Sequence, residues 1–295
     1  IYLPKYRRRS TIYLNKPLLI LLLSAILCNF ALSDRCCEIN YRELPQYELI
    51  HRNARSNQVV ISRKNVLTPS ECKKFASSKK ALAFNYGFDY KNTGRAMHSN
   101  PSMRNSIRHS CQVLECPEAE NFTSLVPDKN YKYYSMYPSL NVSGIGISTC
   151  IPKVGLFIMS SRTMNYSQAR AVCQEVNGSL AHIASEERTN GLAKLVPIEA
   201  PVFVGLSNQD SERIWKNEYD EPLSCFDYRA WGKGQPAHSK GCVGLVQPSK
   251  AYSPPSWSVV PCFVEFPFIC EITPTYTFNH MHSYSNRHNN FNELV

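Results

Sequence analysis

Trp231-Gly-Lys-Gly-Gln-Pro-Ala237, Gly241-Cys-Val-Gly-Leu245, Trp257-Ser-Val-Val-Pro-Cys262 and Phe268-Ile-Cys-Glu271 follow one another late in the 295-residue chain. Cys242 and Cys262 frame a long stretch with the Pro, Ser and Lys content of a loop, and the apolar run ending at Cys270 reads as a closing strand. A long loop held at both ends is a surface for binding.

Upstream of this stretch, Ala169, Val172, Cys173 and Val176 fall at i, i+3, i+4 and i+7, the spacing of one buried helical stripe. Gly178 stands where a left-handed C-cap is expected. A second helix starts at Ser185, an N-cap followed by Glu186 and Glu187, which suit the positive end of a helix, and it must stop before Pro197. Short strands are expected at residues 202–206, 213–216, 242–246, 257–260 and 268–272. Two helices followed by strands, rather than alternating with them, make the fold class α+β.

Taken in order, these residues resemble a C-type lectin-like domain over residues 150–272. The resemblance rests on Tyr166, Ala169 and Cys173 on the first helix, Gly178-Ser-Leu-Ala-His-Ile183 after it, and Phe203-Val-Gly-Leu206 for the central strand. Trp215, Trp231 to Pro236, Trp257, Cys262 and Phe268-Ile-Cys-Glu271 complete it. The family's pattern implies disulfides Cys173–Cys270 and Cys242–Cys262. It leaves Cys150 and Cys225 over, to pair with each other or, for Cys150, with Cys36 or Cys37. In sugar-binding members of the family, loop side chains hold a calcium ion that in turn binds sugar hydroxyls. Calcium takes six to eight oxygens, carboxylates among them. Of the matching positions here, Gln235 keeps an amide oxygen, Ala237 has no ligand atom, Lys240 puts a cation where a carboxylate belongs, and Ser258 and Val259 replace Asn and Asp. No metal and no cofactor are expected. Trp231 and Trp257 are read as core, and the ligand-binding candidates are Lys233, Gln235, His238, Lys240, Lys250 and Tyr252.

The chain before this domain has its own signals. Thr68, Pro69 and Glu71 form a capping box that starts a helix through Cys72, Phe75 and Ala76. Leu82, Phe84, Tyr86, Phe88 and Tyr90 alternate with Ala83, Asn85, Gly87 and Asp89, giving a strand with an apolar face that the helix should cover. A capped helix with a cysteine, an aromatic strand and the nearby Cys111 and Cys116 resemble a PAN or apple-type module. We divide the chain into a signal peptide (1–33), a cysteine-containing module (34–140), a linker (141–149), the lectin-like domain (150–272) and a disordered tail (273–295). His280, His282 and His288 in that tail lack a rigid setting for a metal.

Compartment follows from the ends and the cysteines. Lys5, Arg7, Arg8, Arg9 and Lys16 precede an apolar run over residues 18–32, with Ala31 and Ser33 spaced as a cleavage site. Twelve cysteines suit an oxidising compartment, and sequons stand at Asn121, Asn141, Asn165 and Asn177. Removing the leader takes the net charge from +10 to +5. Most of the excess lies before Thr149 but is scattered, as on a solvated face. Nucleic acid is not an expected partner of a secreted chain. Loss of Cys28 leaves eleven cysteines, so one is unbridged or joins two chains as a disulfide-linked dimer. No nucleophile elbow, phosphate loop or zinc-protease motif is present, so no enzyme is expected. These readings imply a secreted extracellular recognition protein that binds a protein or glycan without the calcium-dependent sugar site. The alternative is a disulfide-linked structural or adhesive component of an extracellular matrix.

Overall fold

The computed structural model describes residues 46–87, 109–119, 122–137, 144–209, 214–249 and 253–275. The readings of the leader, of Cys28, Cys36 and Cys37, of Phe88 to Tyr90, of the sequons at Asn121 and Asn141, of Lys250 and Tyr252, and of the tail beyond Thr275 lie outside the described residues.

Among the described residues, the first half is a five-stranded antiparallel sheet carrying one helix. Its strands are β1 (Glu48–Ser56), β2 (Val60–Val66), β3 (Ala83–Gly87), β4 (His109–Leu114) and β5 (Leu125–Ser135), in the order β1-β5-β3-β4-β2. Helix α1 (Pro69–Ser78) starts where Thr68 accepts from the amide of Glu71, whose carboxylate reaches back to the amide of Leu67, one residue earlier than in a strict capping box. Alternation then sorts the side chains of β3. Phe84 and Tyr86 join Tyr134, Cys111 and Val113 under α1, where Cys72 is bonded to Cys111. The opposite face is buried as well. Ala83, Leu114 and Tyr133 fill part of it. Asn85 tolerates burial there because it exchanges two hydrogen bonds with the Ser56 backbone, both 2.9 Å, and a buried amide left unpaired would cost about 1–3 kcal/mol.

Among the described residues, the second half comprises two four-stranded sheets and two α-helices. β6 (Gly146–Ile151), β7 (Gly155–Ser160), β8 (Gly178–Leu180) and β13 (Ile269–Ile272) form one sheet in the order β6-β7-β13-β8. β9 (Val202–Asn208), β10 (Lys216–Asn217), β11 (Gly241–Val246) and β12 (Ser256–Val260) form the other, in the order β10-β9-β11-β12. A bridge between Phe203 and Phe268 joins them. Helix α2 (Tyr166–Glu175) buries Tyr166, Ala169 and Cys173, and Cys173 is bonded to Cys270 on β13 across 97 residues. Helix α3 (Glu186–Ala193) is capped by Ser185.

Four details differ from the sequence reading. The left-handed residue after α2 is Asn177, at φ 56°, and not Gly178. Gly178 instead opens β8 against β13, where a Cβ would lie 2.3 Å from the Glu271 carbonyl oxygen. Residues 146–149, read as linker, begin β6, whose ladder with β7 satisfies their backbone groups. Of the strand expected at 213–216, Arg213 lies outside the described residues and Ile214 and Trp215 are not in a strand; β10 begins at Lys216 and ends at Asn217, where the turn at Asp220, φ 61°, lets Asn217 accept from the amides of Tyr219 and Glu221. The first tail residues are also tied down: Thr273 donates to Asn177 O at 3.1 Å, Thr275 donates to Met136 O at 2.7 Å and accepts from Gln46 N at 3.1 Å.

One hydrophobic cluster runs through both halves, from Tyr47, Phe84 and Tyr134 to Leu156, Phe203 and Phe268. A disulfide also crosses between them. Cys150, for which Cys225, Cys36 and Cys37 were the open partners, is bonded to Cys116. β6 brings its Cα within 5.9 Å of the residue just past β4, inside the range a disulfide spans.

Candidate functional site

β11 and β12 pair from Cys242 opposite Val260 to Val246 opposite Ser256, and the Cys242–Cys262 bridge, Cα–Cα 5.2 Å, closes their base. Asn208 donates to the Ser239 carbonyl at 2.6 Å and Gln209 to the Cys242 sulfur at 3.3 Å, so the end of β9 holds the approach to β11. Behind the loop the aromatic side chains stack edge to face. Trp257 is fully buried against Trp231 and Tyr228, and Trp231 meets Trp215 at 5.1 Å. Each such pair contributes about 0.5–1.5 kcal/mol beyond its buried area. Trp257 is thus core, whereas Trp231 is only half-buried, anchored by backbone bonds from Trp257 N to Ala230 O and from Gly232 N to Trp257 O.

The candidate residues divide sharply. Lys233, His238 and Lys240 are exposed on the loop between Trp231 and Gly241. Gln235 is turned inward: its Oε1 accepts from Ala237 N at 3.0 Å and Val259 N at 3.1 Å, across a cis Gln235–Pro236 peptide. An amide oxygen has two lone pairs, and both are occupied. Ala237 offers a methyl group, and Ser258 and Val259 sit in β12 opposite Gly244 and Val243. Of the two described sequons, Asn165 is the N-cap of α2, accepting from Gln168 N at 3.0 Å, and Asn177 is exposed. Cys225 ends a single 3-10 turn, Leu223–Cys225.

Two polar clusters carry no signal in the local sequence. Glu218, just past β10, accepts from the Tyr166 hydroxyl at 2.9 Å and from Arg170 Nε at 2.8 Å. Its side chain is 7% exposed and that of Arg170 51%. Burial raises the Glu218 carboxyl above its usual range against the pull of Arg170, and burial together with the Glu218 charge drives Tyr166 well above its own. The second cluster surrounds His182. Burial and then the Arg188 guanidinium lower its pKa to about 4, with Glu271 opposing. Glu271 pairs with Arg188 and accepts from His182 N, and Asn217 Nδ2 lies 3.3 Å from His182 Nδ1. Both clusters join residues 35 or more positions apart, which only the tertiary fold brings together.

Residues 162–272 match the family model of the lectin C-type domain. Over these residues the chain is similar to a C-type lectin domain and is of α+β class. The C-type lectin domain family 4 member E of Mus musculus is 25% identical over 158 residues, covering 50% of this chain and 71% of that protein. C-type mannose receptor 2 of Rattus norvegicus is 28% identical over 88 residues, which is 30% of this chain and 6% of the receptor. Among solved structures, the mouse scavenger receptor C-type lectin carbohydrate-recognition domain is 22% identical, with a TM-score of 0.37 over 43% of this chain and 94% of that one. The C-type lectin domain of murine dendritic cell inhibitory receptor 2, in complex with N-glycan, is 17% identical, with a TM-score of 0.37 over 43% and 95%. These matches lend no support to the apple-type resemblance of the first module.

Proposed function

We propose that the protein is a secreted recognition protein whose C-type lectin domain binds an extracellular glycan or protein without a calcium ion at the family's loop site, and that it catalyses no reaction. The observation that carries this reading is Gln235. Its one ligand atom is committed to two backbone amides, 3.0 and 3.1 Å away. The rest of the loop set does not fit the ion either. Calcium needs several oxygens, some charged, whereas these positions present a methyl at Ala237, an ammonium at Lys240 and the aliphatic Val259. What the loop offers a partner instead is the exposed Lys233, His238 and Lys240 on the segment after Trp231, whose ring packs on Trp257. Secretion is supported by the basic and apolar leader pattern and by four disulfides among the described residues.

Glycan-array binding of the secreted protein, with calcium and again with chelator, tests the proposal together with capture of partners from intact cell surfaces. Binding to glycan or cell that survives chelator is expected. Binding abolished by chelator overturns the calcium-free reading, and absence of binding in every arm overturns recognition itself. Electrophoresis with and without reductant reads whether the odd cysteine left after leader removal joins two chains.

A further inference from the structure

We propose that the cleft between α2 and the β10 edge is a second ligand site, shaped for the hydroxyl groups of a neutral saccharide. This inference deepens the recognition reading above and rests on it. β10 and β12 are the opposite edges of the same four-stranded sheet, so the cleft is separate from the loop that follows Trp231.

The cleft is open on one side and has a volume of about 360 Å³, against roughly 300–1,000 Å³ for small-molecule sites. Most such sites are lined chiefly by apolar groups. This one is the reverse. Ser167, Arg170 and Gln174 face it from α2, and Ser207, Lys216 and Asp220 from the sheet edge and the turn beyond it. Ala171 is the sole lining residue among those described whose side chain has no polar atom. Two cations, Arg170 and Lys216, balance two carboxylates, Glu218 and Asp220, so net charge selects neither an anion nor a cation. The mixture of donors and acceptors suits groups that both donate and accept, as hydroxyls do.

The charged wall is also preorganised. Glu218 is held from two directions by Tyr166 and Arg170, which fixes the edge it presents to the cleft, 7% of the side chain. Arg170 uses Nε on Glu218 and remains half exposed. A planar carboxylate and a planar guanidinium fixed side by side pair with adjacent ring hydroxyls at low entropic cost.

The test is two-dimensional amide NMR of the labelled protein with chelator present, titrated with methyl α-mannopyranoside, methyl β-galactopyranoside and N-acetylglucosamine. Ala171 is exposed on α2, so Ala171→Trp fills the cleft from outside without touching the core, and Glu218→Gln removes the charge. At least one sugar is expected to shift the Ser167, Arg170, Gln174 and Ser207 amides saturably. Ala171→Trp should weaken that binding about tenfold or more, equivalent to about 1.4 kcal/mol, at an unchanged melting temperature, while Lys240→Ala leaves it intact. Shifts confined to residues 233–240, or binding indifferent to Ala171→Trp, overturn the cleft site and leave glycan recognition standing. No response to any of the three sugars also overturns it, and the array and cell arms then decide whether recognition survives.

Discussion

Each half of the molecule buries a glutamate, and the two are treated in opposite ways. In the first half Glu118 is 2% exposed and is held by neutral donors, the Ser56 hydroxyl at 2.5 Å, the Ser124 hydroxyl, and the Ser124 amide at 3.2 Å. In the second half Glu218 meets a tyrosine hydroxyl and a half-exposed arginine at the wall of an open cleft. Glu118 closes a network that starts at Asn85 and Ser56 and fixes the far face of the first sheet. The difference separates a carboxylate that holds two segments of chain together from one at the wall of the proposed cleft site.

The halves should also differ in what breaks them. Replacing Cys173 and Cys270 by serine opens a 97-residue loop and should cost about 4–5 kcal/mol by chain entropy, more than the 20-residue Cys242–Cys262 bridge at about 3 kcal/mol. Urea unfolding of the two double mutants measures the gap, and equal losses would remove loop length as its cause. Glu118→Leu strands three donors and should cost about 2–4 kcal/mol, with a smaller loss for Glu118→Gln. Equal stability of wild type and Glu118→Leu would show that the network does not hold the first sheet.

Acid should reach the second half first. His182 has a folded pKa of about 4 against roughly 6.5 in the unfolded chain, so the unfolded state binds the proton more readily. The stability tied to neutral His182 is complete above about pH 6.5 and falls as the pH drops towards 4, by about 2–3 kcal/mol in all. Hydrogen exchange at α3 and β13 between pH 7 and 4.5 reports it, and His182→Asn should flatten the change. Smallest is Glu218→Gln. Because Arg170 is half exposed, the lost ion pair should cost no more than about 1 kcal/mol, so a loss as large as that of Glu118→Leu would make Glu218 a structural tie and erase the contrast.

What the sequence disclosed was local or strongly periodic. The buried stripe of α2 is visible because Ala169, Val172, Cys173 and Val176 repeat at helical spacing, and the start of α1 because Thr68 and Glu71 bond within one turn. Gly178 was misassigned for a reason that spans the domain. Gly178 is needed for its missing Cβ beside Glu271, 93 residues on, and that leaves the left-handed turn to its neighbour. β6 was hidden because Gly146, Ser148 and Thr149 are small or polar and the one large apolar residue among them, Ile147, is exposed, so only pairing with β7 makes them a strand. The partner of Cys150 depends on where β4 ends in space, which spacing along the chain does not encode. At the candidate site, the identities of Ala237 and Lys240 were plain, but the inward turn of Gln235 and the meeting of Tyr166 with Glu218 arise from packing.

Gln46 N and Thr275 O are 3.1 Å apart, which carries a mechanical consequence. Tension applied between these two positions enters at one corner of the fold and loads the bonds of Thr275 to Gln46 and Met136 in turn, like a zipper, rather than shearing whole sheets at once. Beyond that corner, further peeling from the Thr275 side meets β13, which the Cys173–Cys270 bond ties to α2. The loop after Trp231 and the α2 cleft proposed for recognition lie past this clasp, so a pull that frays the corner should leave them in shape.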